Sequence, residues 1–166
     1  MKTEWHPPHF SDGDRDQDLY SILLMARSLV FRAREIELEE IDMTPEQTAI
    51  LFFVRIMKDR ATPAEISRAV IRQPHTVSSI VDRMEKKGLV EKVKDLSYKN
   101  MVRIKITDKG EEMYRRSTKR RAIHNILSVL NDEERSQLNN SLEKLIVRAG
   151  KELGLKQKKT MPKRRR

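Results

Sequence analysis

Apolar residues recur near the start of the chain at Leu19, Ile22, Leu23, Ala26, Leu29, Val30, Ala33 and Ile36. This is the spacing of one helix face, held for about five turns to around Glu40. Leu24, Met25 and Phe31 widen the stripe beyond what one packing partner covers, which implies a second partner such as another subunit. "AILFFVRIM" is apolar nearly all round and predicts a central helix. Farther on, Val77, Ile80, Val81 and Met84 fall at i, i+3, i+4 and i+7, a narrow stripe on a helix predicted from Pro74 to Lys87. In "MVRIKIT" the period changes to two: Val102, Ile104 and Ile106 alternate with Arg103 and Lys105, which predicts a strand. "LVEKVKD" is its expected partner and "LSYKN" the hairpin tip. A sparse side at Met113, Tyr114, Ser117, Arg121, Ile126 and Leu130 predicts one long helix from Asp108 to about Leu130. Leu138, Leu142, Leu145, Ile146 and Ala149 mark the last helix.

The punctuation agrees with this reading. "TPEQ" at Thr44–Gln47 is a capping box with Pro at the first helical position, and "TPAE" at Thr62–Glu65 repeats the signature for a short helix ending near Val70. Gly88 suits the left-handed position after a helix, Thr107 can cap the helix from Asp108, and Asn131 with Glu134 opens the final one. Helix-turn-helix followed by a two-stranded hairpin is the winged-helix arrangement. The expected fold class is mainly α with a small β-hairpin wing (α+β).

Charge adds a partner class. The net charge is +10, and it is unevenly placed. Residues 151–166 hold eight Lys/Arg and one Glu, Thr62–Gly110 hold eleven Lys/Arg and six Asp/Glu, and the first twenty residues hold five acids against two cations. The tail "KQKKTMPKRRR" reads as a solvated end, or as a non-specific hold on phosphate. The basic excess of the central segment is the better pointer to nucleic acid, because that segment should be folded. No apolar run is long enough to span a bilayer and "MKTEWHPPHF" lacks a signal-peptide core, so no membrane partner and a cytoplasmic location are expected. The chain has no Cys, which excludes disulfides, thiolate metal sites and a thiol-based redox switch.

Taken in order and spacing, "MTPEQTAIL", "TPAEISRAV", "TVSSIVDRMEKKGLVEK" and "VRIKITDKG" resemble the MarR family of bacterial and archaeal transcriptional regulators. The resemblance runs from about Leu19 to Leu145 and is strongest from Met43 to Gly110, with the family's usual spacing from Gly88 to Thr107. It implies a homodimer binding double-stranded DNA: winged helix-turn-helix lobes plus an α-helical dimerisation layer built from the first and last helices. It also implies release by a small-molecule effector held between layer and lobe. The corresponding division is an irregular N-terminal arm (1–14), a dimerisation layer (15–43 and 107–153), a winged helix-turn-helix domain (44–106) and a basic tail (154–166). The chain departs from the family at the wing tip. Where members usually carry Asp and, two residues later, Arg, it has Tyr98 and Asn100 with Lys99 between them. Either Lys99 or Arg103 substitutes for the missing Arg in the minor groove, or the wing contributes little.

A recognition helix meets base edges through short polar side chains near its N-terminus, since long ones hold it away from the groove. Gln73, Pro74, His75, Thr76, Ser78 and Ser79 meet that requirement. Gln73 suits adenine, His75 a guanine acceptor, and the Thr76 methyl a thymine methyl. Arg72, Arg83 and Ser67 are placed for phosphate contacts, which position without specifying. The plainer alternatives are a tolerated polar face for Ser78 and Ser79, and an ion pair of Arg83 with Asp82, Glu85 or the second strand. Arg27, Arg32, Arg34, Arg115 and Arg121 are candidates to line an effector site.

Other chemistry is poorly supported. His6 and His9 in "HPPH" read as part of a solvated arm; a zinc sensor using them with His75 and His124 is the rival. Trp5 and Phe10 anchor the arm either on a partner subunit or in the chain's own core. No Gly-rich phosphate loop, nucleophile elbow or H-E-x-x-H occurs, so neither a cofactor nor an enzyme is expected. The rival function is a winged-helix protein-interaction module with non-specific nucleic-acid binding through the tail.

Overall fold

The computed structural model describes residues 13–95 and 101–155. Trp5, His6, His9 and Phe10 of the arm, the wing-tip residues Tyr98, Lys99 and Asn100, and the tail from Lys156 lie outside the described residues. The elements are α1 (Arg15–Glu39), α2 (Pro45–Met57), a 3-10 turn (Lys58–Arg60), α3 (Pro63–Val70), α4 (Pro74–Lys86), β1 (Val90–Asp95), β2 (Met101–Ile106), α5 (Asp108–Ser117), α6 (Arg121–Leu127) and α7 (Asp132–Glu152). A mainly helical chain with one antiparallel hairpin is the predicted class. The chain falls into two compact units, Met1–Ile126 and Leu127–Arg166.

Local chemistry explains most helix starts. Asp14 Oδ1 accepts from the N–H groups of Asp16 and Gln17, so α1 begins before the apolar stripe does. Thr44 and Gln47 form the expected reciprocal cap of α2, at 3.2 and 3.1 Å. Thr62 Oγ1 accepts from Glu65 N, and Thr107 Oγ1 accepts from Gly110 N. In the second unit Asn131 and Glu134 cap α7 reciprocally, and its Leu138, Leu145 and Ile146 are exposed.

The core of the first unit gathers Leu38 and Met43, α2 through Ile50, Leu51 and Val54, Ile66, the α4 stripe, Leu89, Val90, Ile104 and Tyr114. Phe52 and Ile56 remain exposed, so α2 is buried on one side only. The hairpin pairs Val90 with Ile106 through to Asp95 with Met101. Ile104 N also donates to Ala61 O at 2.7 Å, which attaches the wing to the turn after α2. A Cβ on Gly110 would lie 2.0 Å from Leu89 O, so only glycine lets α5 seat this closely on the root of β1.

The single helix expected from Asp108 to about Leu130 is not formed; it is broken at Thr118–Arg120, where Arg120 has φ 49°. In an unbroken helix Arg121 N would donate to Ser117 O. Instead Arg34, from α1, donates to Ser117 O, while the Glu37 carboxylate accepts from Arg121 N at 2.7 Å and Ala122 N at 3.3 Å. Arg34 and Glu37 also pair with each other at 2.7 Å, their side chains only 11% and 10% exposed. An ion pair from α1 has replaced a peptide hydrogen bond. Hydroxyls help: Thr118 Oγ1 and Ser117 Oγ donate to the carbonyls of Arg115 and Tyr114, capturing local backbone acceptors.

Burial by itself would raise the Glu37 carboxyl, but the hydrogen bonds from Arg34 and the two amides, with the Arg34 charge, outweigh it and hold the group below its ordinary value. Glu37→Ala is therefore expected to destabilise the chain by about 3 kcal/mol near neutral pH, since it strands a buried guanidinium. With the folded-state pKa depressed, the Glu37 contribution is whole above the ordinary value of about 4.3 and is lost as pH falls through the folded one. Urea unfolding of both proteins across a pH series should show their difference shrinking toward acid.

Candidate nucleic-acid interface

The turn from α3 into α4 sets the geometry of the surface. Ile71 N donates to Arg68 O at 3.4 Å and Arg72 N to Ser67 O at 3.0 Å, a Schellman ending with Ile71 at φ 52°, ψ 52°. α4 ends in the same pattern, Gly88 N to Glu85 O and Leu89 N to Met84 O, but there the left-handed residue is glycine at φ 70°. A left-handed conformation costs an ordinary residue about 1–2 kcal/mol. Ile71 bears that strain while 69% exposed. Sequence reasoning passed over it, although a β-branched residue where a helix end calls for glycine is a readable signal.

α4 then starts at Gln73 with no side-chain cap and no acid in its first turn, unlike α1, α2, α3, α5 and α7. Its leading amides and the positive end of its dipole are left for an outside acceptor. Val77, Ile80, Val81 and Met84 are buried, as the stripe predicted. That places Arg72, Gln73, Pro74, His75, Ser79 and Arg83 on the exposed side, with Thr76 and Ser78 half-buried beside them.

Two other candidates are placed differently. Ser67 is 5% exposed and its hydroxyl donates to Ala64 O, so it presents nothing to a phosphate. This corrects its assignment to the surface: a small serine sits on the buried side of α3. Arg103 is half-buried and donates to Asp59 O, joining β2 to the 3-10 turn at the base of the wing.

Both acids of α4 are bound by one lysine of the wing. Lys92 Nζ, on β1, bonds Asp82 and reaches Glu85 at 3.0 Å, and Lys92 N donates to Glu85 Oε1 at 3.1 Å. Hydrogen bonds to Asp82 and then Glu85 raise the lysine's pKa, and the bond from Lys92 lowers that of Glu85. Arg83 is left out of this cluster. Its guanidinium donates to Ser79 O at 3.3 Å and makes no ion pair among the described residues, and neither does Arg72. Two uncompensated cations therefore flank a face of short polar groups. His75 and His124 join no cluster of three metal-ligating residues among those described, and no described helix is long and apolar enough to cross a membrane.

Comparison with known proteins gives concordant matches. Residues 41–96 match the model of the MarR family. YsmB, an HTH-type transcriptional regulator of Bacillus subtilis (strain 168), is 33% identical over 116 residues, covering 69% of this chain and 78% of its own. The organohalide-sensing transcriptional regulator RdhR, solved with 2,4-dichlorophenol bound, superposes with a TM-score of 0.75 at 31% identity over 84% of each chain. The S. aureus MepR–DNA complex shares the fold, with a TM-score of 0.71 at 22% identity over 82% of this chain and 99% of that one.

Arg83→Ala is expected to weaken DNA binding about equally across sequences and to lower the slope of log affinity against log salt by about one unit. Ser67→Ala should change neither. Fluorescence anisotropy of labelled duplexes over a salt series measures both.

Proposed function

The chain belongs to the MarR family of DNA-binding transcriptional regulators, and from that premise we propose that it is a homodimeric repressor holding a pseudo-palindromic operator until a small-molecule effector releases it. The observation that carries the reading is the α4 face. Gln73, His75, Thr76, Ser78 and Ser79 contact base edges in the major groove, while Arg72, Arg83 and the uncapped helix start hold phosphates. Lys99, Tyr98 and Asn100 of the wing tip, with Arg103 at its base, complete the proposed surface.

Dimerisation supplies the symmetry. On α1, Leu19, Ile22, Leu23, Leu29 and Ile36 are each more than 40% exposed, an apolar surface that a lone chain would leave in water. Burying it against the same surface of a second copy makes a two-fold assembly. The two α4 helices then address half-sites about one helical turn apart.

An effector acts by binding one spacing of the two readers better than another. A cavity of about 280 Å³ whose lining includes Arg34, Glu37, Leu38, Glu40, Arg116 and Arg121 is the candidate place for it, although Arg34 and Arg121 already pair with Glu37 and Glu40 there. Of the five arginines singled out in the sequence, Arg34 and Arg121 line this cavity. Arg27 lies over the Phe31 ring, Arg32 pairs with Glu35 and Glu39, and Arg115 pairs with Glu112. The 2,4-dichlorophenol held by RdhR is a small aromatic molecule.

Footprinting is expected to show one discrete site with two-fold symmetry, and His75→Ala or Ser78→Ala to erase the preference for it over random competitor. Lys99→Ala should weaken binding about uniformly and lower the salt slope by about one unit. If removing residues 156–166 abolishes all binding while the two α4 substitutions change nothing, the basic tail alone contacts DNA and the proposal is wrong.

A further inference from the structure

Ile71 breaks two local rules at once. It is a β-branched residue in a left-handed conformation that the corresponding end of α4 gives to Gly88, and the residue is 69% exposed. Glycine or asparagine would relieve the backbone, and a polar residue would suit the solvent. A lone exposed apolar group is ordinary on a protein surface. One fixed in strained backbone directly before the reading helix is not, because strain of this kind persists where function holds it.

The surroundings indicate what it meets. Its chain neighbours Arg72, Gln73 and Pro74 are exposed, as is Arg68 one turn back. Val70 before it is half-buried against the core and Arg68 pairs with Glu65, so the exposed groups beside Ile71 along the chain are mostly polar or charged, which disfavours a large apolar protein contact. A duplex offers the matching pattern: phosphates, polar base edges, and in the major groove one projecting apolar group, the thymine C5-methyl.

We propose that Ile71 is a specificity-determining residue that reads a thymine methyl at the edge of each half-site, outside the bases reached by α4. The proposal rests on the reading of the α4 face as a DNA reader. The left-handed turn fixes the height at which the side chain projects, so its branched end is presented without a rotamer search along a long side chain. It adds no charge and removes no counterion, so its contribution is to sequence preference, not to general affinity for DNA.

The test uses the full chain and a duplex selected by it from random sequence. Ile71→Gly and Ile71→Asn are both expected to raise the melting temperature and to weaken binding to the selected duplex about tenfold. The salt slope should not change. Re-selection with either variant should relax preference at one base pair per half-site. Replacing that thymine by uracil, which deletes only the methyl, should weaken wild-type binding by a similar factor and leave the variants unaffected. Unchanged affinity and preference in both variants, or indifference of the wild type to uracil at every thymine, overturns the proposal while leaving the regulator reading intact. So does a change in oligomeric state with no change in DNA binding, which would make Ile71 a protein contact. A wild-type chain that selects no sequence sinks the regulator reading and this inference with it.

Discussion

Burial of four side chains, Val77, Ile80, Val81 and Met84, fixes the rotation of α4 about its own axis. All that this helix offers a ligand follows from that rotation. Each such side chain contributes about 2 kcal/mol when removed from water, so turning the helix to present another face would forfeit all four contributions at once. The polar residues between them then have one direction left. Electrostatics refines the outcome: Lys92 from β1 takes up Asp82 and Glu85, which would otherwise repel phosphate from the same helix. The hairpin therefore acts on the reading face even before its tip is considered. Its Lys92 offsets one of the two negative charges of α4, while Arg72 and Arg83 make no ion pair among the described residues.

What could be read from the sequence was what is decided locally. The α4 stripe, the hairpin alternation and the caps at Thr44, Thr62, Thr107 and Asn131 are formed by the expected residues, except that at Thr62 only the Thr half of the capping box forms, Glu65 pairing with Arg68 instead. The break between α5 and α6 depends on Glu37 and Arg34, more than eighty positions away, and no local pattern near Ser117 announces it. Ser67 was misplaced for a related reason. A small hydroxyl that can return its hydrogen bond to its own helix, here to Ala64 O, is tolerated in a packed interface, and polarity alone does not reveal that. Strand alternation put Arg103 on the side away from Ile104, but the anchoring of β2 to the 3-10 turn brings its guanidinium to Asp59 O.

The two Schellman endings show how one backbone device serves two ends. At Gly88 the turn is closed by the residue best suited to it, and its product is a sharp entry into β1, where Gly110 can then approach Leu89 O. At Ile71 the same hydrogen bonds close the same turn around a residue ill suited to it. Backbone geometry is met in both cases, so side-chain chemistry is the difference. In the first the chain needs a corner; in the second the corner carries a group into solvent.

The Arg34–Glu37 pair raises a parallel question of why charge is used where an apolar contact would stabilise as well. A buried ion pair gains little net energy over well-packed hydrocarbon, because both ions must leave water. Hydrocarbon, however, cannot satisfy Ser117 O and the amides of Arg121 and Ala122, and the part-buried ones among them would lose a partner at a cost of about 1–3 kcal/mol each. Guanidinium and carboxylate supply one donor and one acceptor set in a fixed relation, matched to the two ends of a single missing hydrogen bond. The place where α5 stops is thereby written into α1. Since α5 is held at its other end by Gly110 against Leu89 O, the helix that carries the exposed apolar stripe and the root of the wing are joined through one rigid ten-residue element.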